Sequence, residues 1–498
     1  MIFNSIQFLV FFPAVFMVYF LLPAKIRYIW LLISSYYFYM CWNPKYIFLI
    51  LFSTMITYMS GLFMDTIKRT SFNSRTQRLC LNGCVAVSLI LNLLILFYFK
   101  YFEFTIAAMN RILGTAGISI SVPACDILLP VGISFYIFQA LGYTIDVYRG
   151  EIHAEKNFFR YALFVSFFPQ LVAGPIERSK NLLRQVNTPT FFDVECARQG
   201  LLTMAYGLFM KVVVADRLAG IINPIYSDWN SRTGMSLVTA TILFAFQIYG
   251  DFEGYSQLAI GSARVLGFYI DQNFKTPYLC TSIRDFWQRW HISLTNWFRD
   301  YLYIPLGGNR KGKPRKYFNT MIVFLVSGLW HGASWHFVAW GGVNGIYNII
   351  QDITDSVRHK AYRILRIDTT AFIWKCFCGF VTFFFIDISW LFFRADGVRQ
   401  SISILKKMWN ECNPWYFFSD EFYDLFGTAK DMGIILFSLS IMALIDIFRR
   451  KGFDLKGYLL QQQILFRWLF YFAAVFIIMM WGAYGSGYEQ TQFIYFQF

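Results

Sequence analysis

Residues 328–337 read GLWHGASWHF and place His331 and His336 inside an apolar run from Phe318 to Ile350. A third histidine, His291, lies 40 positions before His331 (331 − 291) in RDFWQRWHISLTNWFRDYLYIPL, Arg284 to Leu306. The chain has five histidines, and the other two, His153 and His359, fall in polar loops. Hydrocarbon penalises ionisable groups, so a histidine in such a run marks a functional site by default. The plainer reading, a histidine that hydrogen-bonds a neighbouring helix, suits His336 equally well. A neutral imidazole in a partly dry cavity can take the proton of a hydroxyl as that hydroxyl attacks an activated acyl group. Burial favours the neutral ring such a base requires.

Other chemistries fit the residues less well. A zinc site of the HExxH kind needs histidines at i,i+4 and a carboxylate between them. His331 and His336 are five apart, and no Asp or Glu occurs between His331 and Gln351, so no metal is expected. GGNRKGKP, Gly307 to Pro314, approaches a phosphate loop, but Pro314 stands where the magnesium-binding hydroxyl belongs. It reads as a basic turn. Ser327 and Ser334 flank His331 without the G-x-S-x-G elbow of a serine enzyme. The nine cysteines are scattered, with no paired CxxC spacing, and read as buried thiols.

The elements that position these histidines are membrane elements. The chain is 57% hydrophobic and 15% charged, where soluble domains average about 45–50% and about 25%. With no Ser-, Gly- or Pro-rich linker, residues 1–498 read as one integral-membrane domain. Twelve apolar runs approach the roughly 20 residues a span needs, which suggests about ten to thirteen transmembrane or re-entrant helices. They include 127–147, Tyr161–Ile176 and Leu201–Val214. Ile6–Leu22 reads as a retained first span, with no basic residue before it and no cleavage site after it. The net charge of +15 resides in short basic loops. Positive-inside topology and anionic lipid explain that charge without nucleic acid. The clusters 68–78, Arg310–Lys316, Arg358–Arg366 and Arg449–Lys456 are placed in the cytoplasm. The run between the second and third of these must then turn back, with Gly332, Gly341 and Gly342 as its turning points. Arg284–Leu306 is too polar to span. Trp287, His291, Leu294 and Phe298 fall on one helical face, and Asp285 with Arg289 forms an i,i+4 pair, so an interfacial amphipathic helix is expected.

FWQRWHISLTNWFRDYLYIPLGGNRKG and SGLWHGASWHFVAWGGVNG resemble the signature blocks of the membrane-bound O-acyltransferase family, and within it the alginate O-acetylation branch. LPVGISFYIFQALGYTIDVYRGE, FFPQLVAGPIERS, GLFMKVVVADRL, FQIYGDFEGYSQLAIGSAR, ISWLFFRA and the terminal FIYFQF agree in order along the chain, with the core at about 129–350. The resemblance implies a ring of helices around a central tunnel. Its reaction moves an acyl group, here acetyl, from a cytoplasmic thioester donor, acetyl-CoA, to a hydroxyl presented from the other side. No bound cofactor is implied. His331 corresponds to the family's base and His291 to its partner on the donor side. Trp287, Trp290 and Trp330 are expected to shape the site, and Tyr249 and Asp251 to line the donor path. Arg284, Arg289 and Arg299 are expected to meet an anionic donor or lipid phosphate. The expected acceptor is an exported polysaccharide or an SGNH-type acetyltransferase partner outside a bacterial inner membrane. Glu253 and Gln257 depart from the family pattern of Ser and Asp and leave the donor open. D-Alanyl transfer to teichoic acid is the alternative within the family, although that branch usually lacks the Tyr303–Asn309 continuation. A transporter or flippase is the alternative of another class, and a non-catalytic scaffold is a third. No internal repeat supports a transporter.

Overall fold

The structure, a computed structural model, describes residues 1–70, 73–116, 129–484 and 493–494. The start of the expected run at 127, residues 71–72 of the first basic cluster and the last four residues of FIYFQF lie outside them. Every regular element among the described residues is a helix. The chain divides into two compact units, Met1–Met204 with Leu258–Asp271 and Ala205–Gln257 with Gln272–Phe498.

Among the described residues six helices combine the length and apolarity of a membrane crossing: Pro44–Arg69, Ser74–Thr115, Gly234–Val265, Phe372–Arg394, Ala429–Arg450 and Ile464–Trp481. This is an all-α, multi-pass membrane protein. A helix that faces lipid is apolar nearly all round, and Ile464–Trp481 is so apart from Arg467 in its first turn, with no buried residue. Gly234–Val265 is the opposite case, mostly buried, so its polar side chains are interior groups that need partners.

Some expected elements differ from their sequence reading. The run Tyr161–Ile176 is helical only to Ser166. Pro169, Gly174 and Pro175 follow, and the backbone continues irregular and buried. Such backbone persists at depth only where protein satisfies it. Here Gln170 Nε2 donates to the Phe164 carbonyl (3.2 Å) at the helix end.

The stretch 318–350 does turn back, as two helices, Lys313–His331 and Trp335–Ile364. The break falls at Gly332, where a Cβ would lie 2.1 Å from the Phe337 ring. Gly341 and Gly342 are not turning points, because both lie inside the second helix. Gly341 instead permits close packing, since a Cβ there would stand 2.2 Å from the Phe324 carbonyl oxygen of the facing helix. Gly341→Val is therefore expected to force the hairpin apart at a cost of about 1–3 kcal/mol or more. A lower unfolding temperature of the detergent-purified protein would show this, and an unchanged one would contradict it.

Candidate active site

The second unit holds three buried histidines, and two of them, His291 and His331, stand at helix breaks. The segment 284–306 is not one amphipathic helix. It forms Ile283–Trp287, then Ile292–Phe298, then a π-turn at Arg299–Tyr303. Ser282 caps the first piece by accepting from the Asp285 N–H (3.1 Å). Between the pieces His291 adopts left-handed backbone, φ +44°. This conformation is uncommon outside glycine, although His tolerates it better than most. It costs of order 1 kcal/mol or more, and such strain concentrates at functional sites.

The segment around Asn273 holds the break in place. The Ile292 N–H donates to the Asn273 carbonyl (2.9 Å), and the Lys275 N–H donates to the Arg289 carbonyl (3.0 Å). Ser293 Oγ donates to Asn273 Oδ1 (2.6 Å), and Asn273 Nδ2 donates to Ser256 Oγ on the interior helix (3.0 Å). The expected stripe Trp287–His291–Leu294–Phe298 is thus divided. His291 is turned onto Phe252, with ring centroids 4.6 Å apart and nearly perpendicular.

His331 ends the helix Lys313–His331, and the Gly332 turn follows it. The two imidazole centroids lie 6.2 Å apart. Trp330 touches both rings, at 5.8 Å from His291 and 5.0 Å from His331. Trp340 and Phe393 close the other sides of His331 at 5.0 and 5.6 Å, edge to face. His291 is 1% exposed and His331 5%. Burial holds the His291 imidazole well below its ordinary range, so the ring is neutral. Electrostatic contacts formed in such a buried setting are stronger than in water. His336 is outside this group and bonds Ser334 Oγ through Nδ1 (2.8 Å).

The remaining predicted residues separate into three sets. Trp330 belongs to the histidine pair. Trp290 stacks on Phe286 (5.5 Å) and meets Trp390 (4.8 Å), and Trp287 meets Trp340 (5.7 Å), so these tryptophans form the wall behind it. The arginines each hold an acid. Arg284 pairs with Asp352 (2.7 Å), Arg289 with Asp285 (2.6 Å) as expected, and Arg299 with Asp300 (2.7 Å).

Tyr249 and Asp251 belong to buried polar networks on the helix Gly234–Val265. Tyr249 donates to Asp446 (3.0 Å) while its ring lies 6.2 Å from Trp290. Asp251 accepts from Lys211 Nζ (2.7 Å), which also pairs with Asp216 (2.7 Å). The two departures from the family pattern occupy one network. Glu253 Oε1 accepts from Gln257 Nε2 (2.8 Å) and from Arg449 Nη1 (3.0 Å).

Phe252, Trp340, Trp390 and Phe393 lie within the blocks FQIYGDFEGYSQLAIGSAR, SGLWHGASWHFVAWGGVNG and ISWLFFRA, but nothing in the sequence singles them out. Nothing local marks Asn273, whose role appears only when the chain folds back onto the break.

Residues 153–395, which contain both histidines, match the family model of the membrane-bound O-acyltransferase family. The chain is 37% identical to the probable alginate O-acetylase AlgI of Azotobacter vinelandii over 80% of its own length and 76% of that protein's. It is 32% identical to the peptidoglycan O-acetyltransferase of Helicobacter pylori over 82% of its length and 80% of that protein's. The teichoic acid D-alanyltransferase of Streptococcus thermophilus is 29% identical over 45% of this chain and 56% of its own length. With the histidine pair inside the matched region and two relatives above 30% identity along most of their lengths, the chain belongs to the membrane-bound O-acyltransferase family and is an O-acyltransferase.

Proposed function

We propose that the protein acetylates hydroxyl groups of an exported polysaccharide, directly or through an SGNH-type partner outside the cell, with His331 as general base. The observation that carries this reading is the pair of buried imidazoles 6.2 Å apart, each at a helix break within one aromatic enclosure. The donor is a cytoplasmic acetyl thioester, acetyl-CoA. The acceptor oxygen attacks the thioester carbon as its proton passes to His331. The C–S bond then breaks, and the departing thiolate takes the proton from the imidazolium. Neutral His291 serves as a positioning and polarising group on the donor side. Trp287, Trp290 and Trp330 keep water from the thioester, which hydrolysis would otherwise consume. The relatives that match most of this chain carry names of alginate and peptidoglycan O-acetylation, which favours acetyl over D-alanyl transfer. The cell location that fits is a bacterial inner membrane, with the basic clusters and Arg284, Arg289 and Arg299 facing the cytoplasm.

His291→Ala is expected to lower transfer by about 10–100-fold, less than loss of the base, because it removes orientation rather than the proton acceptor. Membranes bearing the variant, supplied with radiolabelled acetyl-CoA and acceptor polymer, measure this. Unchanged transfer would remove His291 from the site. Transfer from a D-alanyl carrier but not from acetyl-CoA would favour the teichoic-acid reading.

A further inference from the structure

We infer that the first unit carries a binding site for the phosphate of an anionic lipid headgroup, in the cavity between the end of the helix Ile6–Leu21 and the start of the helix Arg27–Met40. The site shares no residue with the proposed acyl-transfer chemistry. The cavity has a volume of about 120 Å³, well above the ~10–15 Å³ a single water requires. Lys25, Arg27 and Arg160 line it, together with the polar side chains of Tyr19, Asn187 and Thr188, and no Asp or Glu is among its lining residues. Asn187, which lines the cavity, donates from Nδ2 to Glu155 (2.6 Å).

Each cation is held differently. Arg27 donates to the carbonyls of Phe20 (3.2 Å), Leu22 (2.9 Å) and Thr190 (2.6 Å). These bonds close the end of the first helix and fix the guanidinium, yet none neutralises its charge. Arg160 donates from Nη1 to Asn187 Oδ1 (2.7 Å) and lies over the Tyr28 ring at 5.1 Å. Its Nε is buried and makes no hydrogen bond among the described residues. Lys25 is exposed. Planar guanidinium groups match phosphate oxygens in geometry as well as charge.

The surroundings point to lipid. Leu21, Phe159, Phe191 and Phe192, neighbours in sequence of the cavity's residues, are 82%, 54%, 79% and 50% exposed. Exposed Phe and Leu side chains beside Lys and Arg suit a surface that sinks its apolar groups into the boundary between headgroups and acyl chains. Basic residues there attract anionic lipid by about 1 kcal/mol each.

The test is the unfolding temperature of the full chain in neutral detergent, titrated with dioctanoyl phosphatidylglycerol, dioctanoyl phosphatidylcholine and inorganic phosphate. A ligand that binds only the folded state raises this temperature saturably. Phosphatidylglycerol is expected to do so, with phosphatidylcholine and inorganic phosphate much weaker. Arg160→Gln should weaken phosphatidylglycerol binding about tenfold or more, the loss of one charge-assisted contact. Lys25→Gln, an exposed change that leaves the fold intact, should weaken it severalfold and carries the test if Arg160→Gln does not fold. An equal response to inorganic phosphate would assign the cavity to a free anion and overturn the lipid source. No saturable response, or a Lys25→Gln titration identical to the parent's, would overturn the site.

Discussion

Alanine in place of His331 is expected to lower acyl transfer by about 10²–10⁴-fold, the contribution of one positioned general base. The size follows from what the ring touches. Trp330, Trp340 and Phe393 meet it edge to face, and of these three rings His291 meets Trp330, on the side proposed for the donor. Its loss therefore leaves the acceptor hydroxyl without the base proposed to take its proton. Deleting a buried ring also opens a void, which costs stability on its own account. His331→Gln separates the two effects, because glutamine fills much of the space and stays polar but cannot take a proton at neutral pH. Both variants should insert into the membrane in normal amounts and fail to transfer acetyl, as immunoblots and radiolabelled transfer measure. A glutamine variant with parental activity would reduce His331 to a packing role.

Lys211→Ala is expected to cost about 3–5 kcal/mol of stability, the usual result of removing one partner from a buried ion pair. Lys211 is 1% exposed and bridges Asp251 and Asp216 at 2.7 Å each. Without it two carboxylates remain buried without their ammonium, in a protein whose surroundings supply little water. The damage should extend to the end of the chain. Asp251 Oδ2 accepts from the Ile494 N–H (2.8 Å), and the Phe493 ring lies 4.3 Å from the Lys211 ammonium and 4.6 Å from the Tyr255 ring. The cluster therefore fixes Phe493 and Ile494 to the interior helix. Faster proteolysis of a carboxy-terminal tag, along with a lower unfolding temperature, is the expected readout. A tag as protected as the parent's would contradict this anchoring role.

Composition and apolar run length revealed the membrane class, because hydrocarbon demands long apolar helices and little else. The break at Gly332 was legible for a related reason. Two flanking basic clusters required the run to turn, and a glycine beside His331 offered the place. The extra turning points at Gly341 and Gly342 were misread, because a glycine that allows two helices to touch looks the same in sequence as one that ends a helix. The break at His291 was invisible. RWHIS contains no glycine or proline, and its backbone is imposed by Asn273 and Ser256 from elsewhere in the chain. The arginines were found, but their acids were not all foreseen. Asp285 lies one helical turn from Arg289, whereas Asp352 reaches Arg284 only after the hairpin folds. Long-range pairing also hid Lys211, which meets Asp251 across 40 positions.

The most direct test of His331 as the base compares His331→Gln with His336→Gln in the same cells, by the alkali-releasable acetyl content of the exported polysaccharide. Both histidines lie in one ten-residue stretch, but only His331 belongs to the aromatic enclosure with His291. The expected result is polymer without O-acetyl groups from His331→Gln cells and near-parental acetylation from His336→Gln cells. Parental acetylation in the His331→Gln cells would contradict the assignment.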